Sequence, residues 1–182
     1  MKKIRLGVLG GGGDSLIGVL HRVASFMYDR YEILGGVFNP NYEENIKFAK
    51  QIGINTERVY ENFDKFINEE AAKPKSERIE AVSVLTPNFL HFPMAKKLLE
   101  NGFNVICEKP LTTSLEEAKE LEALQKKNNA IFVEIDGSNI SQQDFQIIQQ
   151  LSEIIQDSGE IGRFELGNLV IEVIQLNTYE NN

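Results

Sequence analysis

"GVLGGGGDSLIGVLHRVA", residues 7–24, sets four consecutive glycines between a short apolar run and a helical pattern. Ile4 to Leu9 reads as a buried strand. After the glycines, Leu16, Val19, Leu20, Val23 and Met27 recur at helical spacing and predict an apolar stripe. The first strand-to-helix turn of a doubly wound sheet is where a dinucleotide's pyrophosphate meets backbone N–H groups and the positive end of a helix. Glycines allow the tight turn and the close approach. The match to G-x-G-x-x-G is imperfect. One register takes Gly10, Gly12 and Ser15; another takes Gly13, Ser15 and Gly18. A slightly lengthened turn satisfies both, and the sequence does not choose. The plainer reading is a glycine loop that only makes a tight connection.

Outward from the turn, strands and helices alternate. "YEILGGVF" is a second strand ending at Phe38, and Asn41 caps a helix with Glu44 three positions on. Val59 and Tyr60 make a short extended piece; Phe63, Phe66 and Ile67 mark the next helix. "IEAVSVLTP" is a β-prone run stopped by Pro87, "HFPMAKKLLENG" is a helix ended by Gly102, and "FNVICEKP" is a strand stopped by Pro110. "SLEEAKELEALQKKN" opens on a capping box, Ser114 to Glu117, and carries a stripe of Leu115, Ala118, Leu121 and Leu124; "AIFVEI" follows as a strand. Near-continuous apolar strands between helices predict an α/β fold, a parallel sheet covered on both faces.

From about Asp136 the texture changes. A Gln-rich helical segment is followed by "RFELGNLVIEVIQLN", one or two strands. The reading is a first domain over 1–135 and the incomplete start of an α+β second domain over 136–182. An unpaired strand edge seeks a partner, so a homodimer or higher oligomer through residues 163–176 is expected.

The chain of 182 residues is 42% hydrophobic and 25% charged, with a net charge of -8. That charge argues against a general nucleic-acid or anionic-membrane surface, because phosphate surfaces need a cationic field. One cysteine, Cys107, excludes an internal disulfide and fits a reducing compartment. The apolar run in "MKKIRLGVLGGGG" is too short for a secretory leader, and no stretch reaches a membrane span. The expected location is cytoplasmic. Cys107 reads as a small buried strand residue, and His21, on the first helix, as structural.

The end of the second strand is where an acid usually holds the ribose of NAD. Here stand Asn39, Pro40 and Asn41, with no acid and no arginine for a 2′-phosphate. Asn39 is able to bond a ribose hydroxyl without repelling a phosphate, so NAD and NADP both stay open. As a turn residue before proline it needs no such role.

With the glycine turn, "TPNFLHFPMAKKLLENGFNVICEKPLTTSLEEAKEL" resembles the glucose-fructose oxidoreductase / inositol dehydrogenase / rhizopine catabolism family (Gfo/Idh/MocA) over roughly residues 3–134. The resemblance implies a Rossmann domain binding NAD or NADP, followed by a truncated second domain that carries part of the active site. It implies hydride transfer at a sugar, cyclitol or nucleotide-sugar hydroxyl. The cofactor would lie against Gly10, Gly12, Gly13, Ser15, Leu16, Ile17 and Asn39. Thr86, Pro87 and Asn88 would line the cleft, with His91 near the cofactor. Glu108, Lys109 and Pro110 would form the loop by the nicotinamide, with Lys109 as the catalytic lysine. A lysine beside a reacting hydroxyl helps move or stabilise its proton. A cis peptide at Pro110 would set its direction. The plainer readings are a surface lysine for Lys109 and a capping or solvent-edge residue for His91. No metal site is expected.

The sequence also departs from that pattern. The family's second domain supplies an Asp and a His on one helix, yet no histidine follows His91 and no aspartate follows Asp157. The stretch after "AIFVEI" lacks the family's aromatic and arginine. Two readings follow: an NAD(P)-dependent oxidoreductase whose short chain has impaired turnover, or a dinucleotide-binding module serving as sensor or assembly partner. A methyltransferase-like Rossmann domain is a weaker third, disfavoured by Asn39 and by the EKP loop.

Overall fold

The computed structural model describes residues 2–13, 15–26 and 29–135. Five strands, β1 (Ile4–Gly10), β2 (Tyr31–Val37), β3 (Ala81–Leu85), β4 (Asn104–Glu108) and β5 (Phe132–Ile135), form one sheet in the order β2-β1-β3-β4-β5. Every pairing is parallel. The helices between them are α1 (Leu16–Phe26), α2 (Tyr42–Gln51), α3 (Phe63–Ala72), α4 (His91–Glu100) and α5 (Leu115–Asn128). The chain leaves β1 toward one neighbour and later returns to its other side. The C-terminal ends of β1 and β3 therefore flank the switch point where ligands of such sheets bind.

Alternation along the strands divides the core into two layers. Leu6, Val8, Ala81 and Leu85 face a cluster that includes Phe48 and Ala49 of α2, with Ile17 and Phe26 of α1 packed against it. Leu9, Val82, Val84, Val105 and Cys107 face Phe66, Ile67, Ala95, Leu98, Leu99 and Leu121 from α3, α4 and α5. Each fully buried Leu or Phe contributes roughly 1.5–3 kcal/mol. The register of β1 against β2 shifts by one residue, from Leu6–Ile33 to Gly7–Gly35. The Val59–Tyr60 piece pairs with β2 through Gly36.

Two apolar stripes differ from expectation. In α1 the buried residues are Gly18, Arg22, Val23 and Ser25, while Leu16 is exposed. A backbone-close contact at Gly18 turns that face toward the sheet. Met27 lies outside the described residues. In α5 only Leu121 is fully buried, and Leu115 is exposed. The caps hold: Asn41 Oδ1 accepts from the N–H groups of Glu43 and Glu44, and Ser114 Oγ accepts from Glu117 N–H. Glu117 reaches back one residue further than a capping box does, accepting from Thr113 N–H and Oγ1.

A buried carboxylate ties the β2–β3 crossover together. Glu70, fully buried, accepts from Arg58 Nε at 2.9 Å, Arg58 Nη2 at 2.5 Å and Ile79 N–H at 2.9 Å, and from Tyr60 Oη. Burial alone would push its pKa up. The hydrogen bonds from Arg58, Tyr60 and Ile79 outweigh that and hold it below the usual carboxylate range. Residues 136–182, with the Gln-rich helix, the terminal strands and the oligomer surface expected there, lie outside the described residues.

Candidate functional site

Three loops meet at the C-terminal edge of the sheet. The first is the glycine turn after β1. Gly12 N–H donates to Phe38 O at 3.1 Å, which pins the turn to the end of β2. Gly18 lies against the turn's backbone; a Cβ there would stand 1.8 Å from Gly11 O. Gly13 has φ +57, and a Cβ there would meet nothing within 4 Å. Gly10 ends the strand, Gly13 opens outward, and Gly18 lets helix and turn touch. Ser15 Oγ accepts from Gly18 N–H. No described residue accepts from the N–H groups of Gly13, Leu16 or Ile17. Leu16 and Ile17 are orphan donors of a helix N-terminus, where the helix dipole adds positive potential, and Gly13 lies in the turn just before it. The open backbone and unengaged donors fit a diphosphate.

Asn39 stands where β2 gives way to α2. Its Oδ1 accepts from Asn41 N–H at 2.8 Å, an Asx turn. That is the plainer of the two readings of Asn39, and its side-chain amide N–H groups stay outside the bond.

The second loop follows β3. Leu85 pairs in register with Gly10, and the Thr86 methyl carbon lies 3.1 Å from where a Gly10 Cβ would stand. Thr86 is thus set beside the glycine turn. Pro87 and Asn88 are exposed, and Asn88 opens a short 3-10 turn ending at Leu90.

The third loop, residues 108–111, is tied on several sides. Glu108 Oε1 meets His21 Nε2 of α1 at 2.9 Å, and both side chains are about nine-tenths buried. The other Glu108 oxygen accepts from Lys109 N–H at 3.3 Å. Glu134 of β5 accepts from Leu111 N–H at 2.9 Å. The Lys109–Pro110 peptide is cis, as the sequence suggested.

His91, only 1% exposed, sits beneath this loop, not at the solvent edge. Its Nδ1 lies 2.8 Å from Pro110 O and its Nε2 2.8 Å from Thr86 O, so one ring joins the second loop to the third. Lys109 itself is exposed, and no described residue pairs with its ammonium. Cys107 is fully buried, and burial, with Glu108 and Glu134 nearby, pushes its thiol up to about 12, which leaves it an unreactive thiol.

The structure therefore brings the glycine turn, Thr86 and the Glu108–Pro110 loop to one edge, with Asn39 at its side. Sequence reasoning did not foresee the His21–Glu108 contact. The available signal was position: His21 falls one turn beyond Gly18, on the face that approaches the sheet ends. Among the described residues, no helix is long and apolar enough to cross a membrane, and no three His, Cys, Asp or Glu side chains gather as a metal site.

The oxidoreductase family with the NAD-binding Rossmann fold matches residues 4–135. An uncharacterized oxidoreductase of Bacillus subtilis is 35% identical over 131 residues, covering 71% of this chain and 33% of that protein. UDP-N-acetylglucosamine 3-dehydrogenase of Acidithiobacillus ferrooxidans is 28% identical over 131 residues, 72% of this chain and 36% of its own. The chain spans about a third of the length of these two relatives. The crystal structure of an inositol dehydrogenase homolog from Azotobacter vinelandii, complexed with NADH and myo-inositol, superposes with a TM-score of 0.72 and 34% identity. That match covers 87% of this chain and 40% of the other.

Proposed function

We propose a function from one established premise: this chain belongs to the oxidoreductase family with the NAD-binding Rossmann fold. Its task is reversible hydride transfer between a nicotinamide dinucleotide and a hydroxyl of a sugar, cyclitol or nucleotide sugar. The substrate class is supported by relatives that include UDP-N-acetylglucosamine 3-dehydrogenase and by the myo-inositol in the Azotobacter vinelandii homolog.

The observation that carries the reading is the tethering of the Lys109 loop to the glycine turn's helix and to the end of β3. NAD or NADP, when bound, supplies the hydride acceptor or donor. The chain's own residues do the rest. The N–H groups of Gly13, Leu16 and Ile17 hold the diphosphate, Ser15 secures the first turn of α1, and Thr86, Pro87 and Asn88 line the approach. Asn39 faces the ribose end through its amide. Glu108, His21, Glu134 and His91 hold the loop, and Lys109 presents its side-chain nitrogen to the substrate oxygen, taking the hydroxyl proton as the amine in oxidation and returning it as the ammonium in reduction. His91 acts by position, because its ring nitrogens face the Pro110 and Thr86 carbonyls.

The test is a titration with NADH and NADPH followed by nicotinamide fluorescence, then a turnover screen with sugars, inositols and nucleotide sugars. Binding with turnover supports the enzyme. A second reading is a dinucleotide-binding module without catalysis. Binding with no turnover across the screen supports that reading. Absence of binding rejects both.

A further inference from the structure

Arg22 is a buried cation that the scheme above does not use. It lies on α1 and is 5% exposed. Its Nη1 donates to Gly11 O at 2.6 Å, and its guanidinium carbon stands 4.9 Å from the centre of the Phe48 ring. No carboxylate faces it among the described residues. Arg5 pairs with Glu80 and Arg58 with Glu70, whereas Arg78, with no ion pair among the described residues, donates to the carbonyls of Asn101 and Gly102, away from the glycine turn. Burial pulls the pKa of Arg22 down to about 10, which leaves it charged at neutral pH.

An uncompensated buried charge is costly, and folds retain one where something answers it. Among the described residues, the one hydrogen bond of Arg22 goes to the backbone of the same turn whose N–H groups at Gly13, Leu16 and Ile17 have no acceptor. Out of water, its field is less damped than that of a surface lysine.

We propose that Arg22 is a positioning residue for the cofactor's diphosphate: it holds the Gly11 peptide and places an unneutralised positive charge behind the glycine turn that the phosphates complete. The proposal rests on the dinucleotide reading above. It assigns a cation for the diphosphate to a helix interior, apart from the strand end where an arginine would hold a 2′-phosphate.

The test compares ADP, adenosine and NADH by calorimetry on the full chain. Arg22→Gln removes the charge and keeps a polar amide. It is expected to bind ADP and NADH at least tenfold more weakly, with adenosine within about twofold of wild type. Arg22→Lys keeps the charge and is expected to stay within about threefold for ADP. Equal ADP affinity in a folded Arg22→Gln chain overturns the proposal, and so does an equal loss for adenosine, the mark of a structural role alone. If Arg22→Gln does not fold, Arg22→Lys decides: ADP affinity within about threefold supports the proposal, and a loss beyond tenfold with adenosine unchanged overturns it, because the fork and not the charge then matters. A wild-type chain that binds none of the three rejects the dinucleotide reading itself.

Discussion

Glu108 Oε1 and His21 Nε2 stand 2.9 Å apart, and through that contact the first helix holds the loop that carries Lys109. The two residues are 87 positions apart in the chain. One lies a turn beyond Gly18, which packs against the Gly11 backbone; the other ends β4. The contact ties the helix after the glycine turn to the loop.

Removing that link has two readouts. His21→Ala leaves the buried Glu108 oxygen without its partner and is expected to cost about 1–2 kcal/mol of stability. Hydrogen exchange at the 108–111 amides is expected to rise, because the loop loses one of its ties. Unchanged exchange there would show that Glu134 and His91 hold the loop unaided.

Gly18 and Gly13 separate packing from backbone freedom. A methyl at Gly18 would press on Gly11 O from 1.8 Å, so Gly18→Ala is expected to lose about 1–3 kcal/mol or more and to spread the helix from the turn. A methyl at Gly13 meets nothing, so Gly13→Ala is expected to cost only the left-handed backbone term, about 1–2 kcal/mol. Urea denaturation of both variants checks the order. Gly13→Ala unfolding more easily than Gly18→Ala would contradict it.

Lys109→Ala tests the catalytic assignment. The side chain is exposed and pairs with no described residue, so stability is expected to stay within about 0.5 kcal/mol. NADH affinity is expected to stay nearly unchanged while any turnover disappears. A large loss of cofactor affinity would move Lys109 from the substrate to the cofactor.

Glu70 makes stability depend on acid. Its folded pKa is held below the ordinary carboxylate value, with burial opposing and the Arg58, Tyr60 and Ile79 hydrogen bonds prevailing. Its contribution is complete above the unfolded pKa of about 4.3 and is lost as pH falls toward the lower folded value. Glu70→Gln is expected to cost about 3–5 kcal/mol at pH 7, because it strips Arg58 of its carboxylate. The gap to wild type is expected to narrow below about pH 4. Urea midpoints at pH 7 and pH 3 measure it; a gap that widens in acid would reverse the sign.

Much of the fold was legible because its signals are local. The runs that became β1, β3 and β4 are apolar on both faces, Asn41 and Ser114 cap the helices they precede, and Pro87 and Pro110 follow strands. The stripe on α1 misled because hydrophobicity alone does not measure approach distance. Gly18 lets the backbone come close and carries Arg22 and Ser25 inward, while Leu16 turns out. An arginine in a helix reads as a solvated residue; only the fold shows that Arg22 is buried beneath Gly11 O.

Sequence alone determined the parallel α/β order, the glycine turn at its first crossover and the EKP loop, since propensity, capping and periodicity act over a few residues. Tertiary structure alone decided which distant groups meet: His21 with Glu108, His91 with Thr86 and Pro110, Arg22 with Gly11 and Phe48. Those pairings depend on how closely each helix lies on the sheet. That distance is set by packing across the whole core, which no single stretch of chain encodes.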